Sequence, residues 1–238
     1  MRRVVFVIFI AAVAAISVFP QSGTPGGEKT VEQKYLSTSV EIGIISELAA
    51  ADTREQKLVA LDSIEQMLGD GKIKGGDTQI HTVLKGLSGE GISIVVRESS
   101  RKTNDYPEVR RRAAKLLGEL GGENSKNTLI DVTLKDNEPM VLSQAVYALG
   151  IIGMNDKNES LMAIARVIDT DAKKAVVDDN LAVASLLAIE KIAKKNGGFA
   201  EEPDPKFIYR SIISIQQGNY GPNVKKWAGL LIDRLKQY

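Results

Sequence analysis

The chain has 238 residues, and its 31 basic side chains nearly balance its 30 acidic ones, so no global field favours nucleic acid or an anionic membrane. It has no cysteine, which excludes disulfides, thiol catalysis, cysteine-ligated metals and lipidation of an N-terminal cysteine. Aromatic residues make up only 5% of a chain that is 43% hydrophobic, a balance that suits helices packed on helices, in one large domain or two small ones.

The N-terminus has the pattern of an export signal. Arg2 and Arg3 precede an uncharged apolar run over residues 4–18, which is long enough for a signal-peptide core and short for a membrane span. We therefore predict a signal peptide over residues 1–22, with an uncertain cleavage site, and a flexible linker over residues 23–30. The alternative is an uncleaved signal anchor, and on either interpretation the body of the protein is exported to the periplasm or cell envelope.

The first part of the mature chain, residues 31–104, is predicted to form helices in degenerate repeats. Apolar residues recur at helical spacing over residues 28–51, 54–68 and 77–87. Glycine-rich stretches separate the second helix from the third and follow the third helix. The segment 92–102 is either a helix or an irregular crossing segment.

From residue 105 onward the helical pattern is stronger. Prolines at 107, 139, 205 and 222 suit the first turn of a helix, where a missing N–H costs nothing. We predict helices over residues 107–120, 125–135, 139–152, 160–168, 180–195, 205–216 and 222–238. Longer polar segments, 169–179 and 196–205, separate the later helices.

One apolar pattern recurs along this region. Its five positions fall on one face of a helix: Val109, Ala113, Leu116, Leu117 and Leu120. The pattern recurs 32 residues on, again 40 residues after that second copy, and again 115 residues after the first copy, and it meets an apolar residue at every position except Ser185. A weaker copy lies 53 residues upstream of the first. A recurring unit of this size indicates stacked helical repeats, and the small alanine indicates a close approach of two helices.

The segment 106–118 resembles the HEAT repeat, in which a turn, often with Asp and Pro, precedes Val-Arg-x-x-Ala and then Leu-Gly. Residues 221–228 are similar, whereas Leu142 and Ala182 replace the usual arginine in the second and third copies. The resemblance covers residues 105–238 well and 28–104 loosely, and extends to exported bacterial HEAT-repeat proteins. It implies an all-α fold, a short right-handed α-solenoid of helical hairpins with a C-terminal capping helix, used as a scaffold.

The chain has no constellation typical of an enzyme. His81 is its single histidine and is interpreted as an ordinary, half-buried or surface residue, which cannot build the two-iron site of some HEAT-like enzymes. The loop 69–76 lacks the order of a phosphate-binding loop. A group of aspartates lacks calcium-loop spacing and is interpreted as solvated: Asp169, Asp171, Asp178 and Asp179. We predict no catalysis, cofactor, metal or nucleic acid.

One cluster of basic residues is the candidate binding site: Arg97, Arg101, Lys102, Arg110, Arg111, Arg112 and Lys115. Two interpretations are open. The cluster is a basic patch that binds an acidic protein segment or an anionic envelope polymer, or it is a solvated helix face in which Arg110 ties neighbouring repeats together. The predicted function is a non-enzymatic exported scaffold that binds a protein on a concave face. That face is lined by second helices near residues 77–87, 125–135, 160–168 and 205–216. The alternative function is binding of an anionic envelope polymer through the basic patch.

Overall fold

The computed structural model describes residues 30–201 and 204–238, which form ten helices and one short β-hairpin. The helices are α1 (Val31–Ala50), α2 (Arg54–Gly69), α3 (Thr78–Ser88), α4 (Pro107–Leu120), α5 (Gly122–Lys135), α6 (Pro139–Ile152), α7 (Glu159–Asp171), α8 (Asp179–Asn196), α9 (Lys206–Gln217) and α10 (Pro222–Leu235). Strands β1 (Arg97–Glu98) and β2 (Arg101–Lys102) pair antiparallel. None of these ten helices has both the length and the apolar content that crossing a bilayer requires. The predicted signal peptide and all but Thr30 of the predicted linker lie outside the described residues.

The helices stack in two layers that alternate along the chain. Helices α2, α4, α6, α8 and α10 pack side by side in chain order, and we call them the first-helix layer. Helices α1, α3, α5, α7 and α9 do the same on the other side, and form the second-helix layer. Each helix meets mainly its neighbours in the stack, as in a solenoid of helical repeats. The all-α, HEAT-like architecture is confirmed.

The recurring apolar pattern forms the core of the stack. Of its positions in α4, α6, α8 and α10, all are buried except Ile232, which is half-buried against the core. The departure at Ser185 is tolerated because the hydroxyl, although fully buried, donates a 2.7 Å hydrogen bond to the carbonyl of Leu181 one turn earlier. The core runs continuously from Ile42 in α1 to Leu235 in α10.

Glycine sets the spacing of three first-layer helices. A methyl group built on Gly118 would lie 2.8 Å from the Cβ of Ala148 in α6. One repeat later, a methyl group on Gly150 would lie 2.7 Å from the Cα of Ala188 in α8. The close approach therefore lies at these glycine–alanine contacts, whereas the sequence prediction placed it at the second position of the pattern, which is Ala113 in α4. The corresponding position in α8 is Glu190, whose carboxylate accepts a 2.7 Å hydrogen bond from Arg234 of α10.

The segment 92–102 contains the β-hairpin, so the helical alternative is wrong. A run of β-branched residues at 94–96 favours extended backbone over helix. The tip consists of Ser99 and Ser100, with φ of 46° and 70°. Positive φ at both central residues is the requirement of a type I′ turn, which is normally met by Asn and Gly.

The polar segment between α7 and α8 is held by aspartates, which differs from the predicted solvated loop. Asp171 is buried, and its carboxylate accepts hydrogen bonds from the Tyr220 hydroxyl at 3.0 Å and from the Asp178 amide at 2.9 Å. Asp178 caps α8, and Asp179 accepts a 3.0 Å hydrogen bond from the Gly221 amide. These contacts tie the start of α8 to the start of α10. Asp169 stays exposed.

Candidate functional site

The seven predicted basic residues do not share one surface. Arg110 is buried, with 1% of its side chain exposed, and it donates hydrogen bonds to Asp136 at 2.7 Å and Asp105 at 2.7 Å. A third bond reaches the carbonyl of Glu90 at 3.1 Å. Arg110 therefore ties α4 to the loop that follows α5, which is the alternative role that the sequence left open. It is unavailable to a surface ligand.

Two further members of the cluster are neutralised by α2. Arg112 forms ion pairs with Asp62 at 2.5 Å and Glu65 at 3.0 Å, and Lys115 also pairs with Glu65. The hydrogen bond from Lys115 contributes most to holding the pKa of Glu65 below its ordinary value. Arg111 is half-buried, and its Nε has no hydrogen-bond partner among the described residues. Arg112 and Lys115 therefore fasten α4 to α2, whereas Arg111 forms no ion pair or hydrogen bond with α2 in the described part of the chain.

The remaining three basic residues lie on the hairpin. Lys102 pairs with Asp105 at 3.5 Å, and Arg97 donates a 3.3 Å hydrogen bond to the carbonyl of Ser100. Both Arg97 and Arg101 are exposed, and neither forms an ion pair within residues 30–201 and 204–238. Of the predicted patch, Arg97 and Arg101 are the fully exposed members without an ion pair in this part of the chain, and half-buried Arg111 is the third member without one.

The hairpin belongs to an insert, residues 89–106, that a buried polar network fixes to the stack. Glu90 pairs with Lys57 of α2 at 3.1 Å, and both side chains are less than a tenth exposed. Asn104 donates 2.7 Å hydrogen bonds to Glu90 and to the carbonyl of Ile94, and accepts one from the Val96 amide. Because these partners lie at both ends of the insert, the network closes its base.

Sequence reasoning missed this network and did not identify the acidic partners of Arg110, although those partners leave a local signal. An aspartate stands shortly before the helix-opening proline in two units, as Asp105 before Pro107 and Asp136 before Pro139. Asp136 accepts the amides of Asn137 at 2.8 Å and of the following residue at 2.9 Å, which turns the chain into α6. The partners of Lys57 lie too far along the chain for any local pattern to reveal them.

A cavity of about 320 Å³ lies between the insert and two helices of the second-helix layer. Its apolar wall includes Ile92, Ile94 and Val132. Two charged residues of α5, Asp131 and Lys135, also line it. These two charges pair with each other at 3.1 Å. A concave apolar site with a few polar groups is the usual form of a ligand site, and its size lies at the low end of the usual range. We call it the small cavity.

His81 joins the two helices that bound the small cavity. Its Nε2 lies 3.0 Å from the Thr128 hydroxyl, so α3 and α5 share a hydrogen bond. Burial lowers the pKa of His81, against the effect of a hydrogen bond with the backbone of Asn124. The prediction of an ordinary, half-buried histidine fits this environment. Within the described residues, no group of three or more metal-binding side chains is placed to hold an ion.

The second-helix layer continues beyond the small cavity. Each of the next helices exposes one large apolar side chain, Leu134 on α5, Met162 on α7 and Ile213 on α9, at 42%, 37% and 36% exposure. Isolated exposed apolar residues are ordinary. They extend the apolar surface of the second-helix layer, although the first-helix layer also exposes apolar residues, among them Met140 and Ile151 of α6. The small cavity is therefore the feature that favours the second-helix layer as a contact surface.

Comparison with known families gives a match over the middle of the chain, which includes helices of both layers. Residues 99–179 match the family model of HEAT repeats, and this span runs from the turn of the hairpin through α4 to α7 and ends at the first residue of α8. A comparison with curated proteins finds no match for the sequence.

Proposed function

We propose, from the premise that this chain carries HEAT repeats over residues 99–179, that it is an exported, non-enzymatic scaffold that binds a protein partner on the second-helix layer. HEAT repeats generally serve as protein-interaction scaffolds. The proposed contact centres on α3 and α5, and extends toward α7 and α9.

The observation that carries the proposal is the small cavity beside the insert. An apolar side chain of a partner can enter between Ile92 and Val132, while Lys85 and Asp131 contribute charges to the same lining. Buried anchors of this kind dominate the affinity of protein interfaces, and the surrounding contacts exclude water. Exposed Leu134 on the same α5 helix extends the apolar surface toward α7.

Export rests on the sequence pattern of the N-terminus. A basic start at Arg2 and Arg3, an uncharged apolar run over 4–18 and a following Pro- and Gly-containing stretch have the order of a signal peptide. Cell fractionation of the tagged chain tests this directly. A tagged chain found only in the cytoplasm would overturn export and leave the scaffold proposal standing.

An in-cell crosslinking pull-down tests the binding surface. The test variant is Asp131→Arg, which adds a long cationic side chain at the small cavity. The matched control is Asp233→Arg on α10, since Asp233 is also an exposed helical aspartate, paired with Lys236 at 2.9 Å as Asp131 is with Lys135 at 3.1 Å. We expect the native chain and the control to recover the same partner, and the test variant to lose it.

Three results would contradict the proposed site. Equal recovery by both variants would move the partner away from the small cavity. Loss of recovery only in Arg97→Glu with Arg101→Glu, together with strong salt sensitivity, would assign binding to the hairpin charges and revive the anionic-ligand alternative. Recovery of no specific protein would remove the support for a scaffold.

A further inference from the structure

A second and larger cleft lies on the other side of the insert. Its volume is about 840 Å³, within the range of about 300–1,000 Å³ that ligand sites occupy. One wall is the β-hairpin, and the others come from α1, α2 and α3, with Ala49, Val83 and Leu87 as apolar members. We call it the large cleft.

The hairpin presents one of its two faces to the large cleft. Ile94, Val96 and Glu98 line it, whereas the intervening Val95 and Arg97 do not. This alternation is the period of an extended strand, in which successive side chains point to opposite faces. Ile94 and Val96 are 49% and 51% exposed, so their apolar surface is open to a ligand.

The charges that line the large cleft have a net negative sign. Lys57 and Glu90 are buried at its base and neutralise each other across 3.1 Å. The other two charged lining residues are the carboxylates Asp52 and Glu98, both exposed, and neither has an ion-pair partner within residues 30–201 and 204–238. Arg101 stands opposite Glu98 in the ribbon, but it does not line the cleft.

The base of the large cleft also offers a donor. The ammonium of Lys57 donates to the carbonyl of Ala49 at 3.0 Å and pairs with Glu90 at 3.1 Å. An ammonium has three N–H donors, so a third is available to a carbonyl oxygen of a ligand. A peptide backbone supplies such an oxygen at every residue.

We infer that the large cleft binds an extended peptide segment of a partner protein, with apolar side chains against Ile94 and Val96 and a lysine or arginine near Asp52 and Glu98. The inference rests on the proposed function only in taking the ligand to be part of a protein. The surface is largely different, because the small cavity lies across the insert, between α3 and α5, and shares only Thr82, Gly86 and Ile94 with the large cleft. The ligand charge is opposite to that expected for the hairpin arginines.

Binding of two labelled heptapeptides to the purified full-length chain, followed by fluorescence polarisation, tests the inference. One peptide alternates valine with lysine and the other alternates valine with glutamate. We expect the lysine peptide to bind about tenfold more tightly at low salt, with a difference that shrinks as salt is added. Glu98→Gln should weaken the lysine peptide about threefold and reduce its salt dependence.

Adjacent valines provide the matched control for the apolar contact. Val96→Ser should weaken the lysine peptide by up to about tenfold, the equivalent of losing one buried valine side chain. Val95→Ser, on the opposite face and 42% exposed, should change its affinity less than about twofold. Circular dichroism of both variants checks that the helices are intact.

The outcomes separate this inference from the proposed function. Equal binding of the two peptides, equal loss in both valine variants, no binding of either peptide, or self-association of the chain that Val96→Ser abolishes would each overturn the peptide site. A pull-down that remains sensitive to Asp131→Arg would then leave the scaffold function intact. If the lysine peptide binds but Asp131→Arg does not change the pull-down, the proposed site at the small cavity is wrong and the peptide site in the large cleft stands.

Discussion

Replacing Arg110 by methionine tests the buried ion pair that joins α4 to the loop after α5. Methionine keeps the aliphatic stem of the side chain but removes the guanidinium, so the carboxylate of Asp136, which is 1% exposed, loses its cationic partner. The carboxylate of Asp105 and the carbonyl of Glu90 each lose a hydrogen bond as well. We expect a large loss in the free energy of unfolding.

The structure sets the size of that loss. Breaking a buried ion pair by removing one partner costs about 3–5 kcal/mol, because a charge is left uncompensated. Asp136 keeps two backbone amide donors, at 2.8 and 2.9 Å, which reduces the cost. Asp105 is 45% exposed, so water replaces its lost bond. We therefore expect a loss near the lower limit, about 3 kcal/mol, which is a large part of the stability of an ordinary domain.

Urea denaturation followed by circular dichroism measures the loss, with Arg111→Met as the matched control. Arg111 is the next residue on α4, half-buried and without an ion pair among the described residues, so its replacement should change stability by less than about 0.5 kcal/mol. NMR titration of Asp105 adds a local readout. The hydrogen bond from Arg110 contributes most to its lowered pKa, which should rise toward the ordinary value in Arg110→Met.

The pH dependence has a definite sign. Because the pKa of Asp105 is lower in the folded state, its contribution to stability is present above the unfolded pKa and is lost as pH falls through the folded pKa. This acid-induced loss should be smaller in Arg110→Met. A stability change below about 1 kcal/mol, with an unchanged Asp105 pKa, would refute the view that Arg110 is a structural cation.

Three further predictions concern packing, a buried acid and the histidine. Gly150→Ala should lower the free energy of unfolding by about 1–3 kcal/mol, because the added methyl group would meet the α8 backbone at 2.7 Å. Gly43→Ala, which has open space around it in α1, should raise that free energy by about 0.5–1 kcal/mol, and urea denaturation measures both. Equal effects at both glycines would contradict the close approach. Tyr220→Phe should cost about 1.5–3 kcal/mol in thermal unfolding because buried Asp171 loses a donor, and a loss under about 0.5 kcal/mol would argue against that bond. Burial lowers the pKa of His81 from 6.5, so the free energy of unfolding should fall as pH drops below that value. His81→Gln should remove this part of the dependence of stability on pH, measured between pH of about 8 and about 5. An unchanged pH dependence would show that the histidine does not contribute.

The helical stack could be predicted from the sequence because its determinants are local and periodic. The spacing of Val109, Ala113 and Leu117 fixes one buried face, and its repetition fixes the neighbouring helices. Prolines such as Pro107 and Pro139 mark helix starts that the structure confirms. Such signals depend on residues within a few turns of each other, so one sequence is enough to reveal them.

The candidate site could not be predicted in the same way, because its geometry depends on residues far apart in the chain. Lys57 meets Glu90 across the stack, and no local pattern distinguishes this lysine from an exposed one on α2. The basic cluster was predicted from nearness in sequence, yet Arg110 and Arg112 point to different partners from the same helix. A helix separates neighbouring residues by about 100° around its axis, so a run of charges becomes several environments.

The contacts of Gly118 with Ala148 and of Gly150 with Ala188 have a consequence for how such an array can grow. Helices α4 and α6 each present a glycine to an alanine of the next helix in the first-helix layer, so a duplicated copy of residues 122–153 would find a matching surface on both sides. Beyond α8 the joint is replaced by the Glu190–Arg234 ion pair, and a copy placed there would meet a charged residue in place of a glycine. Lengthening of the protein, in evolution or by design, is therefore directed to its middle.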